Sequence, residues 1–184
     1  MAVLGRRRPV VTVVMTVVFI LTAGMMGLFL LSLTAECPAN SGVHDGRLAA
    51  CPNSPNCVST QAEDREHWIA PLSVTSNAIP PIDLLAEIVR EMPRAKIVEE
   101  SNTYLRAEFR SRIFRFCDDV EFYVEPQSDR VHFRSASRVG HSDLGVNRDR
   151  MELIRQKFQA ASHAAAKLPH QASLRKSLVG IPLP

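Results

Sequence analysis

The chain has 184 residues, of which 46% are hydrophobic and 22% are charged, and its formal net charge is +3. This length allows one domain of ordinary size with short extensions, and the composition excludes wholesale disorder. The densest basic stretch is the triplet Arg6, Arg7 and Arg8, and most other basic residues up to Glu152 are interleaved with acidic ones. We therefore expect no nucleic-acid partner, because such a partner needs a basic patch.

The first feature along the chain is an uncharged stretch of 27 residues, 9–35. A membrane-spanning helix needs about 20 apolar residues, so the stretch predicts a transmembrane helix over 9–35. The three arginines precede it, and Glu36 is the first charge after it. The positive-inside rule then places residues 1–8 in the cytoplasm and everything after Glu36 outside. We expect a single-pass protein of the inner membrane with an extracytoplasmic domain.

Three other readings of this N-terminus stay open. A cleaved signal peptide has a shorter apolar core and small residues at its cleavage site, whereas Leu33 stands at that position here. Lipidation at Cys37 would need a small residue before the cysteine, and Glu36 is there instead. The arginine triplet also has some likeness to a twin-arginine signal. Length and flanks favour an uncleaved anchor.

The next segment, 36–50, is small, polar and turn-forming, which is typical of a flexible tether without secondary structure. It leads to Cys51-Pro-Asn-Ser-Pro-Asn-Cys57, where the prolines favour turns that bring the two thiols together. In an oxidising compartment such a pair closes as a disulfide. Free thiols remain an alternative, as does a metal site with His67, although a metal needs more ligands. We expect a disulfide, no metal and no cofactor.

Residues 51–165 carry the pattern of one α+β domain. Ile82, Leu85 and Val89 recur at helical spacing, which predicts a helix over 80–92. Three later runs, 105–110, 116–124 and 131–138, alternate with period two and predict an antiparallel meander sheet with one covered and one wetter face. We expect further strands near 96–100 and within 67–74.

A second helix is expected to begin near Asn147, a favoured N-cap residue. Met151, Ile154 and Phe158 form an apolar stripe that suits packing on the sheet. The two helices therefore flank the meander sheet. After 165 the pattern fades, and we expect a loose tail over 166–184.

Two blocks of the sequence resemble the family called domain of unknown function 1499. One is Cys51-Pro-Asn-Ser-Pro-Asn-Cys-Val-Ser59, and the other is Arg134-Ser-Ala-Ser-Arg-Val-Gly-His-Ser-Asp-Leu-Gly-Val-Asn-Arg148. Residues 103–116 and 118–122 also fit, so the resemblance covers about 51–158. It implies a bacterial envelope or organelle-membrane protein of unassigned role. It supports the fold and supplies no activity.

The turn at 126–129 predicts how the last two strands pair. Placing Val124 opposite Val131 sets Phe122 opposite Phe133 and Asp118 opposite Ser137 on the covered face. The same register sets Glu121 opposite Arg134 on the other face. Asp118 is then a carboxylate on an apolar face, so an arginine must reach it.

Two interpretations follow for the residues around Asp118. The first is a pocket for an anionic small molecule or lipid headgroup, since forked guanidinium groups match carboxylate and phosphate. The second is a structural salt-bridge network that fixes loop 140–145 against the sheet. Both interpretations use the same candidates: Arg112, Arg115, Asp118, Arg138, Asp143 and Arg148.

The residues argue against catalysis without settling the function. Asp118 and Asp119 are adjacent in a strand, so they point to opposite faces and cannot act as a pair. No phosphate loop, zinc-protease motif or nucleophile elbow is present. We expect a membrane-anchored binding or scaffolding module, held in the membrane through residues 9–35. The alternative is a hydrolase that uses the same cluster, and the sequence names no protein partner.

Overall fold

The computed structural model describes residues 7–74 and 79–179. Its helices are α1 (Arg7–Leu33), α2 (Pro81–Arg90) and α3 (Val146–Val179). Its strands, in chain order, are β1 (Val43–His44), β2 (Arg47–Leu48), β3 (Cys57–Ser59), β4 (Leu72–Ser73), β5 (Ala95–Glu100), β6 (Tyr104–Arg110), β7 (Cys117–Val124) and β8 (Arg130–Ser137).

Helix α1 is the predicted membrane segment. Its stretch Pro9–Leu33 has 25 residues and a mean hydropathy of 2.4, and its most apolar part is not buried by the rest of the chain. By length and composition it can therefore cross a bilayer. The helix ends two residues before the predicted limit of the span at Ala35. Residues 1–6 of the predicted cytoplasmic segment lie outside the described residues.

Strands β5 to β8 form the predicted antiparallel meander. The register of β7 and β8 is the predicted one: Phe122 lies opposite Phe133, Glu121 opposite Arg134 and Asp118 opposite Ser137. Two short strands, β3 and β4, extend the sheet by pairing with different parts of β8. The prediction of an α+β fold with an antiparallel sheet is confirmed.

The hydrophobic core lies between one face of this sheet, called here the covered face, and helices α2 and α3. Leu105 and Ala107 of β6 and Phe122 and Phe133 of β7 and β8 are fully buried there. Helix α2 contributes Ile82, Leu85 and Val89, and α3 contributes Met151, Ile154 and Phe158, as the helical spacing predicts. Pro81 occupies the first turn of α2, where a missing N–H leaves no hydrogen bond unmade.

The segment 36–50 is folded, which corrects the expectation of a tether without secondary structure. Strands β1 and β2 form a hairpin across Asp45 and Gly46, whose φ values of 51° and 75° are those of a tight primed turn. The Asp-Gly pair was the available signal for this hairpin. The segment lies against the second face of the sheet, and we call it the covering segment.

The C-terminal helix is longer than the expected boundary at 165. Its backbone continues as α3 to Val179, so the residues from 166 to 179, expected as a loose tail, are helical. The run His163-Ala-Ala-Ala-Lys167 contains good helix formers, which carry the helix past the last apolar contact with the sheet. Residues 180–184 lie outside the described part of the chain.

Candidate functional site

The second face of the sheet, called here the outer face, is buried although it is charged. Glu121 is 0% exposed, Asp119 1% and Arg134 6%. The expectation of a wetter face is therefore wrong, because the covering segment and the disulfide loop exclude water from it. The outer-face side chains include Tyr104, Arg106, Glu108, Cys117, Asp119, Glu121, Arg134 and Arg138.

Arg138 is the centre of the ionic contacts on this face. Its guanidinium donates to both oxygens of Asp119, at 2.7 and 2.8 Å, and to Glu108 at 2.6 Å. Burial alone raises the pKa of the Glu108 carboxyl, but the hydrogen bonds from Arg138 and Arg110 outweigh burial and lower it. The hydrogen bonds that Arg138 makes to Asp119, which has the larger effect, and to Glu108 raise the pKa of Arg138, so its guanidinium stays charged. These groups neutralise one another.

Arg138 also connects the sheet to the end of the membrane helix. Its Nη1 donates to the carbonyl oxygen of Ala35 at 3.2 Å, two residues after α1 ends. The C-terminal end of β8 therefore lies close to the end of α1.

Glu121 holds the covering segment against the sheet. Its Oε1 accepts hydrogen bonds from the Tyr104 hydroxyl at 2.8 Å and from the Gly42 backbone N–H at 2.7 Å. Burial, together with the adjacent Glu121 carboxylate, raises the pKa of Tyr104, so the phenol keeps its proton and remains a donor. Arg106 adds a second tie, because its Nη1 donates to Cys37 Sγ at 3.1 Å.

A cavity of ≈ 340 Å³ lies between the outer face and the covering segment. Its sheet side is formed by Asp119, Arg134, Ala136, Ser137 and Arg138, and its other side by Pro38, Asn40, Ala50, Cys51 and Pro52. A neighbouring cavity of ≈ 520 Å³ shares Asn40, Ala50 and Cys51 with it.

Arg134 is the side chain of this cavity with an unmet donor. Its Nη1 lies 3.4 Å from Glu121, a long contact for an ion pair. Its Nε is buried and has no hydrogen-bond partner among the residues that the structure describes. A buried donor without an acceptor destabilises a fold by about 1–3 kcal/mol, so this atom marks a place where an acceptor is missing.

The Cys51–Cys57 disulfide forms, as the sequence predicts, with the two Cα atoms 5.7 Å apart. Cys57 belongs to β3, so the bond fixes the wall at Cys51 to the sheet. His67 does not approach these sulfurs as a metal ligand would. Its Nδ1 contacts Asp64 at 2.8 Å, and its Nε2 contacts the Ser54 carbonyl oxygen at 3.1 Å.

Asp118 lies on the covered face as predicted, but the expected arginines do not reach it. Its partner is Arg150 of α3, at 2.5 Å, which also lies over the Phe109 ring at 4.7 Å. Arg150 also donates to Asn147 and Ser135. Arg148 is two residues away on the helix, points in a different direction and donates to the carbonyl oxygens of Glu66 and Trp68.

The other predicted site residues are also separated. Arg138 lies on the opposite face from Asp118. The Asp143 carboxylate accepts hydrogen bonds from the backbone N–H groups of Gly145 and Asn147, at 3.1 and 2.6 Å, and so caps the start of α3. Arg112 and Arg115 are exposed in the loop between β6 and β7. The structure therefore does not bring the six candidates into one pocket.

Arg138 and, as a disulfide partner, Cys51 were predicted among the residues that line the cavity. Asp119 and Arg134 were missed because alternating charge was taken as a sign of exposure. The predicted register already placed Glu121 opposite Arg134, with Asp119 on the same face. A turn-rich segment ending in a disulfide pair was the available sign that something covers these charges.

The comparisons with known proteins identify one family. A family described as protein of unknown function (DUF1499) matches residues 47–158. The chain belongs to this family. The match includes β2, the disulfide loop, the whole sheet and the first part of α3, and it confirms the resemblance seen in the sequence. No curated protein and no solved structure matches the chain.

The outer face offers ion pairs and hydrogen bonds between buried side chains. Within the described residues, no group of three or more His, Cys, Asp or Glu side chains converges as a metal site. Asp119, Glu108 and Glu121 each accept from an arginine, and Arg134, which lines the cavity, has a buried Nε without an acceptor among the described residues.

Proposed function

We propose that this DUF1499 protein is a membrane-anchored binding module whose domain lies on the extracytoplasmic side and holds an anionic group in the outer-face cavity. The observation that carries the proposal is the buried Nε of Arg134, unpartnered among the described residues, in the wall of a ≈ 340 Å³ cavity. A carboxylate or phosphate oxygen would supply the missing acceptor, and guanidinium groups bind such oxygens strongly.

The position of the cavity supports a ligand near the membrane surface. Pro38 lines it, only five residues after the end of α1 at Leu33, and Arg138 connects its sheet side to Ala35. The anionic group can thus belong to a lipid headgroup or to a small soluble molecule. Both sources present the same oxygen chemistry to Arg134.

The extracytoplasmic location is supported by two features of the chain. The arginines before α1 favour a cytoplasmic N-terminus, and the Cys51–Cys57 disulfide is typical of an oxidising compartment. A phosphatase fused at Pro184 should be active outside the cytoplasm. A fusion active only with a cytoplasmic reporter would overturn this part of the proposal.

The binding test uses the full chain in detergent micelles and isothermal titration with two probes, inorganic phosphate and dihexanoyl phosphatidylglycerol. Phosphate binding points to a soluble anion, and binding of the short-chain lipid alone points to a headgroup. Arg134→Lys keeps a positive charge for Glu121 but removes the Nε donor, so it should weaken binding about tenfold or more, the effect of one charge-assisted hydrogen bond.

The matched control is Arg90→Lys, the same substitution in an exposed ion pair with Glu100. It should leave binding unchanged. Far-UV circular dichroism and the melting temperature show whether Arg134→Lys is folded. If neither probe binds the folded wild-type protein, or if Arg134→Lys binds as the wild type does, the cavity is not an anion site.

A further inference from the structure

The loop between β6 and β7, residues 111–116, carries an apolar tip flanked by arginines. Ile113 at its tip is 67% exposed, and Phe114 is half-buried beside it. Arg112 and Arg115 are both exposed, and no described residue forms a hydrogen bond or ion pair with either side chain. A single exposed apolar side chain is common on a protein surface, so the surroundings of Ile113 decide its role.

The loop has a defined shape. The Ser111 N–H donates to the Phe116 carbonyl oxygen at 2.8 Å, and the Phe116 N–H donates to Ser111 Oγ at 3.0 Å. Arg115 takes a positive φ of 60° to close the turn. These contacts hold Ile113 and Phe114 at the outermost point of the hairpin.

This tip lies directly against the membrane helix. A groove of ≈ 270 Å³ is lined by Ile113 and Phe114 on one side and by Thr22, Met25, Met26 and Phe29 of α1 on the other. Those α1 residues belong to the apolar stretch Pro9–Leu33. A loop that contacts this stretch must itself lie at the depth of the bilayer that surrounds the helix.

The length of α1 indicates how deep in the bilayer the loop lies. Its 25 apolar residues span about 37 Å at about 1.5 Å per residue, whereas the hydrocarbon core is about 30 Å thick. The last turn or so of α1 therefore extends into the headgroup region, and Phe29 lies near its boundary with the acyl chains. Thr22 lies seven residues, about 10 Å at about 1.5 Å per residue, deeper than Phe29, so the tip of the loop reaches past that boundary into the acyl-chain layer.

We propose that loop 111–116 is a membrane-docking loop that inserts Ile113 and Phe114 into the acyl-chain layer beside α1, with Arg112 and Arg115 extending back to anionic headgroups. The apolar tip loses exposure to water, and long arginine side chains place their charge among phosphates while their methylene groups remain in the apolar layer. The loop then fixes the orientation of the domain on the membrane. This proposal depends on α1 spanning the bilayer and is independent of the cavity at Arg134.

The test places a tryptophan at the tip. Trp68→Phe removes the sole natural tryptophan, and Ile113→Trp introduces the probe in the full chain. The protein is reconstituted in phosphatidylcholine vesicles containing phosphatidylglycerol, with acyl chains brominated near the headgroup. The matched control is Gln127→Trp in the same background, an exposed residue in the turn at the other end of the sheet.

Docking predicts blue-shifted emission from the Ile113→Trp variant, with little quenching by aqueous iodide. Quenching by the brominated lipid should be several-fold stronger for this variant than for the control. Equal quenching of the two probes would overturn the proposal. Blue-shifted emission without bromolipid quenching would also overturn it, because the tip would then be covered by protein.

The arginines are tested in the same assay. Arg112→Gln with Arg115→Gln should lower the ratio of shielded to accessible probe by about fivefold for each arginine when phosphatidylglycerol is present. Pure phosphatidylcholine should show a much smaller change. An equal change in both lipids would contradict the assigned headgroup contacts.

Discussion

The two faces of the six-stranded sheet are closed in different ways. The covered face packs Phe122 and Phe133 against the helices. The burial of this apolar surface stabilises the face, and it does not require side chains to meet in particular bonding directions. The outer face buries Glu121, Asp119 and Arg134 beneath the covering segment. There each charged group depends on specific hydrogen-bond and ion-pair partners, because a buried charge is tolerated only when it is paired.

This difference separates the parts of the domain suited to stability from those suited to recognition. Among the described residues of the covered face, the buried polar groups Asp118, Arg150, Ser135 and Asn147 already bond to one another. The outer face has a cavity and an unmet donor. A ligand can therefore add a hydrogen bond on the outer face without rearranging the core.

The largest losses of stability are expected for substitutions of one residue from each face, Arg138 and Phe122. Arg138→Ala should lower the free energy of unfolding by about 3–5 kcal/mol because it leaves Asp119 and Glu108 without their main partner. Phe122→Ala should have a similar effect, about 3–5 kcal/mol, by opening a cavity. Urea unfolding of the full chain in detergent measures both.

Conservative variants distinguish the loss of an ion-pair partner from the opening of a cavity. Arg138→Met restores much of the volume but not the charge, so it should be nearly as destabilising as Arg138→Ala. Phe122→Leu restores volume and should recover a large part of the lost stability. If Arg138→Met is as stable as the wild type, the outer face is held by packing, and the proposed contrast is wrong.

The covered face could be predicted from the sequence in more detail than the outer face. Period-two alternation and one turn gave the register of β7 and β8, since a slip of one residue would have turned Phe122 and Phe133 to the wrong side. Apolar spacing likewise identified the packed residues of α2 and α3. These signals are local and follow from burial alone.

The site could not be found in the same way because its contacts join distant parts of the chain. Gly42 meets Glu121 79 positions away, and Arg138 meets Ala35 103 positions away. No periodicity records such pairings. The arginine that reaches Asp118 was also missed, because Arg148 and Arg150 differ by two positions on a helix and so point in different directions.

A smaller effect is expected from opening the disulfide that supports the cavity wall. Replacing Cys51 and Cys57 together by Ala should lower the free energy of unfolding by about 2 kcal/mol, since the closed loop is short. The sheet and α3 should remain folded by circular dichroism, while affinity at the outer face falls. Global unfolding of the double variant would contradict this local role.

A smaller effect again is expected at the start of α3, which packs on the covered face. Asp143→Ala removes the acceptor for the N–H groups of Gly145 and Asn147 and should cost about 1 kcal/mol. Asp143→Asn should retain most of the stability, because an amide oxygen can also cap. The comparison is Ser142→Ala, whose hydroxyl accepts only from Leu144 at 3.3 Å among the described residues. Equal losses for both alanine variants in urea unfolding would argue against a cap.

The smallest expected effect depends on pH and concerns His67, which connects the disulfide loop to Asp64. Burial alone lowers the pKa of His67, but its hydrogen bonds with the Asp64 carboxylate and the Ser54 carbonyl outweigh burial and raise the pKa above 6.5. Both partners are acceptors, so the doubly protonated ring satisfies both contacts.

A histidine whose pKa is raised by folding stabilises the fold fully below its unfolded value of 6.5, and this contribution disappears as the pH rises through the folded value. The difference in free energy of unfolding between wild type and His67→Gln should therefore be largest below pH 6.5 and decrease above it. Urea unfolding on both sides of this pH measures the difference, with His163→Gln on the exposed side of α3 as control. A difference that grows with pH would mean that the ring is neutral in the native loop, with only one of its two contacts formed as a donor.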